Sequence, residues 1–147
     1  MCAGAGFLLA VLWFDLMFDV QVLRHRIGDE PDETLASIAA YYRRVTTAAR
    51  PMNRLVMTAM LGTVAAIVVE LARGEGPAWV GWVSLALAVV PISLAAGRTF
   101  PHAVRLGARV DPPPRQGALA RSICRDHLFC LALIASLLVV QLAWATG

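Results

Sequence analysis

Two aspartates, Asp15 and Asp19, stand four residues apart inside the first apolar stretch of the chain. On a helix that spacing puts both carboxylates on one face. A bare carboxylate in hydrocarbon costs from ~2.5 kcal/mol upward, so each must point into protein, be protonated or be paired. Counting back from Leu23 at ~1.5 Å per residue, Asp19 lies about 6 Å and Asp15 about 12 Å from the end of the stretch. At Asp19's level the other stretches offer Thr58 and Ser93, and Arg54 and Arg125 stand near enough to reach it. At Asp15's level they offer Thr63 and Ser136, with no arginine. The expectation is an ionised Asp19 paired with Arg54 or Arg125, and an Asp15 kept neutral near pH 7 by desolvation and its neighbour's charge.

Histidine is the next source of chemistry. His25, His102 and His127 fall at the ends of the first, third and fourth apolar stretches. Three imidazoles would suffice for zinc or iron. No HxxxH or ExxH pair accompanies them, so no metal is assigned and the cofactor is left unknown. Asp19 or His127 could serve as general base, with an arginine such as Arg125 to stabilise the anion and Asp15 and Asp19 lining the floor. His25, Asn53, Arg54 and His102 would ring the mouth of such a site and hold a ligand. Cys124 and Cys130 are six apart on one helix, and Cys2 lies at the other end of the chain, so no disulfide is expected. There is no Gly-rich phosphate loop, no recognisable Ser/His/Asp spacing and no nucleic-acid motif.

These residues need a scaffold, and the composition names its kind. The 147 residues are 59% hydrophobic and 16% charged, which argues against a soluble enzyme, a nucleic-acid binder or a disordered tail. The mean hydropathy of +0.66 points the same way. Four apolar stretches, about 3–23, 55–71, 78–96 and 128–145, are each close to the ~20 residues that cross a bilayer. Between the first two, Pro31-Asp32-Glu33 opens a helix over about 32–48. Leu35, Ile38, Ala39, Tyr42 and Val45 form its apolar side, with Tyr41, Arg43, Arg44 and Thr47 opposite. It is expected to lie on the membrane surface. Residues 72–77 are a tight turn. Asp111-Pro112-Pro113-Pro114-Arg115 reads as a polyproline bend. The fold expected is all-α: one integral domain over 1–147, a four-span antiparallel transmembrane bundle with one amphipathic surface helix. Gly62 with Ala66, and Ser93 with Gly97, suit close packing inside it.

All 13 basic residues are arginine, and all but Arg73 fall in the two connections that four spans would place on one side. The positive-inside rule makes that side cytoplasmic and both termini non-cytoplasmic. Trp79, Trp82 and Trp144 then form a belt at the opposite interface. The expected partners are the bilayer with its anionic inner leaflet, a lipophilic small molecule, and a second copy or another membrane subunit. Nucleic acid is not among them.

The order of features resembles the anthrone-oxygenase-like family of small four-helix membrane proteins. The likeness rests on Pro51-Met52-Asn53 at the start of span two. It rests also on Phe100-Pro101-His102-Ala103-Val104-Arg105-Leu106 after span three, and on Arg121-Ser122-Ile123-Cys124-Arg125-Asp126-His127 leading into span four. It implies oxidation of a lipophilic polycyclic aromatic without an obvious cofactor. Two readings follow. One is a polar, cytoplasm-facing pocket for a small lipophilic ligand, in which Asp19 or His127 takes a proton. The other is a non-enzymatic accessory or assembly subunit that binds anionic lipid or a partner protein. They divide on one point: a pocket needs a cavity at the level of the two acids, whereas an accessory subunit would consume both in interhelical bonds.

Overall fold

A computed structural model describes residues 2–146, and its regular structure there is entirely helical. Helix α1 (Cys2–Asp19) tightens into a 3-10 turn, Val20–Arg24. Helix α2 covers Asp32–Thr47, α3 Arg50–Arg73 and α4 Ala78–Leu94. A π turn, Ala95–Thr99, joins α4 to α5 (Phe100–Ala108), and α6 runs from Pro113 to Thr146. Four helical segments are long and apolar enough to cross a membrane: Cys2–Arg24, Arg50–Arg73, Ala78–Ala108 and Pro113–Ala145.

Prolines set several of the boundaries. Pro51 sits in a first turn, where a missing N–H loses nothing. Pro113 and Pro114 do likewise, so the expected polyproline bend is instead the first turn of α6. The helix that carries the last apolar stretch therefore starts well before residue 128, and the one that carries the second starts at Arg50. Pro101 cannot donate a backbone bond, and the ladder slips just before it, with Phe100 N–H reaching Ala95 O. Gly74, at φ 65, ends α3 in the left-handed cap that glycine adopts freely.

Packing explains why space is left at the centre. Helix α1 packs on α3 and α6, and α4 packs on the same two. Neither α1 with α4 nor α3 with α6 comes close, so the four form a ring with both diagonals open. One apolar cluster, including Ala5, Leu8, Ile67, Ile134 and Leu137, fills the ring toward the start of α1. A second, including Leu16, Val22, Ile38, Leu106 and Ile123, closes its other end. The small-residue pairs take no part, since Gly62, Ser93 and Gly97 are exposed.

Helix α2 departs from expectation in an instructive way. Its apolar side (Leu35, Ile38, Ala39 and Tyr42) is buried against α5 and α6, and is not left free for lipid. Burying each large side chain contributes about 1.5–3 kcal/mol relative to exposure, which favours a covered face. Gly107 allows the close approach: a Cβ there would stand 2.8 Å from the backbone N of Arg43.

A latch holds the 25–31 connection to the start of α6. Arg121 Nε donates to Glu30 Oε1 at 2.7 Å, and its Nη2 donates to the His25 carbonyl at 2.7 Å. Gly28 N–H donates to Glu30 Oε2 at 3.0 Å. Gly117 leaves room for the carboxylate, which is only 3% exposed. Burial pushes the Glu30 carboxyl up, but the bonds from Arg121 and the backbone outweigh it and hold it below the usual glutamate value of 4.5. A depressed folded value means the latch contributes fully above the unfolded value and is lost as pH falls through the folded one. Amide exchange over 26–30, corrected for intrinsic rates, is thus expected to stay flat from neutral pH to about 5 and to rise below about 4. Glu30→Gln should show the raised exchange at every pH; equal protection in both proteins would contradict the latch.

Candidate functional site

The i, i+4 spacing of Asp15 and Asp19 does put both carboxylates on the side of α1 that meets α2 and α6. Their partners come mainly from α2. Tyr42 Oη donates to Asp19 Oδ1 at 2.6 Å, and Tyr41 Oη donates to Asp15 Oδ1 at 2.5 Å. Adjacent helical residues point about 100° apart. That divergence lets two neighbouring tyrosines serve two acids a full turn apart. On α6, His127 Nδ1 lies 2.6 Å from Asp19 Oδ2 and 3.5 Å from Tyr42 Oη. Asp19 is fully buried and both of its oxygens are bonded. The Tyr41 ring stacks on Phe18 at 4.1 Å and meets Tyr42 edge-on at 5.3 Å. Burial, and then the adjacent carboxylates, push both phenols far above their ordinary range, so they stay protonated donors at physiological pH.

Above this cluster the open centre of the ring holds a cavity of about 100 Å³. Leu8, Leu12 and Asp15 of α1, Val56 and Met60 of α3, Pro91 and Ile92 of α4, and His127, Cys130 and Ile134 of α6 line it. Its wall is apolar except for the Asp15 carboxyl, the His127 ring and the Cys130 thiol, which donates to Pro91 O at 3.8 Å. Asp15 uses only Oδ1 for Tyr41, and His127 uses only Nδ1 for Asp19. One carboxyl oxygen and one imidazole nitrogen are thereby left for whatever enters. When the ring is neutral and donates from Nδ1 to Asp19, Nε2 is its acceptor nitrogen.

The other residues singled out in the sequence lie elsewhere. Arg54 and Arg125 are exposed and make no bond to Asp19, whose oxygens Tyr42 and His127 already occupy. Long guanidinium side chains near helix ends turn to water more cheaply than they enter a filled core. Thr63 is buried beside Gly4, near the opposite end of α1, so Val56 and Met60 stand level with Asp15. Ser136 is exposed and bonds back to Ala132 O. Asn53 Nδ2 donates to Val45 O at 2.9 Å and ties α3 to the end of α2. His25 meets Thr34 Oγ1 at 3.4 Å in the 25–31 connection. His102 is half-buried on α5, and its Nδ1 has no partner. Among the described residues no three His, Cys, Asp or Glu side chains gather as metal ligands.

A second polar group flanks the π turn. Arg98 Nε approaches Asp126 Oδ2 at 3.3 Å, Arg98 Nη2 donates to Ser122 Oγ at 2.9 Å, and Thr99 Oγ1 donates to Asp126 Oδ2 at 3.3 Å. Asp126 is therefore spent on holding the π turn to α6, and does not line the cavity that its neighbour His127 lines.

No family model, curated protein or solved structure matches this chain. The geometry stands on its own.

Proposed function

We propose that this chain is a four-span antiparallel membrane protein whose spans enclose a pocket for a small lipophilic ligand bearing an acidic hydroxyl. The observation that carries the reading is the cavity with Asp15 and His127 as its ionisable wall groups. The accessory-subunit reading would have both acids used up between helices. Asp19 is used up, but Asp15 lines the cavity and only its Oδ1 is bonded. In this reading His127 Nε2 accepts the ligand's proton, Asp19 steadies the imidazolium through Nδ1, and Asp15 orients the hydroxyl. The arginines of the sequence reading take no part, because Arg125 faces out.

Size limits the ligand. The cavity of about 100 Å³ is smaller than the ~150 Å³ apolar cavity that admits benzene, so the end of an apolar chain fits as it stands and a single ring such as phenol needs flexible wall side chains such as Met60 to shift. A polycyclic of the kind the anthrone-oxygenase resemblance implies would need the helices to part. The orientation is supported by the packing of α2 against α3, α5 and α6, which gathers twelve of the thirteen arginines at one end. Exposed Trp79 and Trp82 stand at the start of α4, next to the 74–77 turn on which Trp144 packs. That makes the arginine end cytoplasmic.

The test is a thermal-unfolding titration of the protein in nanodiscs with phenol, and with toluene as the match that lacks a hydroxyl. Phenol is expected to raise the melting temperature more than toluene. Met60→Trp, which fills the cavity, should abolish both shifts, and Asp15→Asn should shrink the difference between them. Equal shifts from phenol and toluene would remove the acid–base reading. Shifts that survive Met60→Trp would remove the cavity itself.

A further inference from the structure

We propose that the groove between α2 and the end of α5 is a phosphate-binding site, separate from the cavity. The groove encloses about 510 Å³, several times the cavity's volume. Arg43 and Arg44 of α2 and Arg109 after α5 supply its charge. No acidic residue lines it; the remainder is Ala36, Ala39, Ala40, Thr47, Ala48 and Gly107. Small side chains leave the floor open, and Thr47 spends its hydroxyl proton on the Arg43 carbonyl.

The groove, and not free charge alone, distinguishes this place from the rest of the basic end: Arg24, Arg26, Arg50, Arg54 and Arg125 also have no carboxylate partner among the described residues, but none of them lines it. Arg98, Arg105 and Arg121 are each held by a carboxylate. Arg43 and Arg44 are exposed, and neither has an acidic partner among the described residues. Arg109 is anchored to Asp32, which fixes one side of the groove. Two free guanidinium forks and one held by Asp32, in a groove with no acidic residue in its lining, match the oxygens of a phosphomonoester. Such a group carries about −1.5 to −2 charges at neutral pH, enough to engage both free arginines. The docked pair of helices gives the site its shape, because the Gly107 contact with the Arg43 backbone sets how close the walls stand.

The phosphate could belong to a lipid headgroup or to a soluble compound, and the experiment separates the two. Protein in a neutral detergent is titrated with inorganic phosphate and, separately, with dihexanoyl phosphatidic acid, and melting is followed by tryptophan fluorescence. A saturable rise in melting temperature is expected. Half-saturation by the lipid at about one-tenth of the phosphate concentration or lower assigns a headgroup site; equal concentrations assign a soluble phosphate. In Arg43→Ala/Arg44→Ala both curves should move to about tenfold higher concentration or more. Arg26→Ala/Arg50→Ala removes the same charge outside the groove and should leave them unchanged. Each double variant is first compared with the parent for melting without ligand, so a folding defect is seen directly. Failure of either probe to saturate at millimolar concentration, or an equal loss in the two double variants, would overturn the proposal, the latter by showing diffuse attraction to positive charge.

Discussion

Asparagine in place of Asp19 is expected to lower the unfolding free energy by about 3 kcal/mol. The reason is that one fully buried carboxylate serves two elements at once. Its Oδ1 takes the Tyr42 hydroxyl at 2.6 Å, and its Oδ2 meets His127 Nδ1 at 2.6 Å. Asparagine keeps the size and one acceptor, so one of the two bonds survives. The other position becomes an NH₂ group facing a second donor, in a place that water does not reach. Tyr42→Phe removes a single hydroxyl and leaves the Asp19–His127 contact intact. It should cost about 1 kcal/mol, in line with interhelical bonds between membrane helices. The double variant should fall short of the sum, because both changes strike the same carboxylate. The measurement is equilibrium unfolding in mixed micelles, with exposed Asp29→Asn as the reference. A loss for Asp19→Asn no larger than that for Asp29→Asn would mean the carboxylate does not hold α1, α2 and α6 together.

How much of this the sequence discloses depends on which elements carry each residue. The four long apolar helices are legible because length and hydropathy alone decide them. The pairing of Asp15 with Asp19 is legible because it is local, a matter of helical spacing on one element. The partners are not, for a reason that depth counting cannot repair. Matching residues by depth assumes that only spans supply partners, whereas α2 lies between spans and brings Tyr41 and Tyr42 to both acids. One signal was present. Tyr42 belongs to the apolar repeat of α2, and a buried phenol needs an acceptor. Tyr41 gives none, since its spacing places it on the polar side of that helix. The arginine assignment failed on a different balance. Coulomb attraction favours an Asp19–arginine pair, but Tyr42 and His127 satisfy the carboxylate without carrying a guanidinium out of water. The cavity is invisible in the sequence because it follows from the two open diagonals of the ring, a property of how four helices share contacts.

The docking of α2 leads to the second large effect. Alanine at position 107 adds one methyl group where a Cβ would stand 2.8 Å from the Arg43 nitrogen and 3.0 Å from its Cα. Backbone cannot swing aside as a side chain can, so α2 must move away from α5. Overpacking of this kind costs about 1–3 kcal/mol, and the upper part of that range is expected here because both obstructing atoms are main chain. Gly62→Ala is the control: the same methyl meets nothing within 4 Å, and alanine is the better helix former by up to ~1 kcal/mol, so no loss is expected. The consequence reaches the site, since α2 carries the hydroxyls that hold Asp15 and Asp19. A shift of that helix stretches the bonds at 2.5 Å and 2.6 Å before it disturbs any contact within the ring of spans. Gly107→Ala and Asp19→Asn should therefore be less than additive in unfolding, although Gly107 lies on α5, outside the acid cluster, and touches α2 at Arg43. Strict additivity would mean that α2 docks without positioning the acids, and that the cavity's Asp15 is oriented by α1 alone.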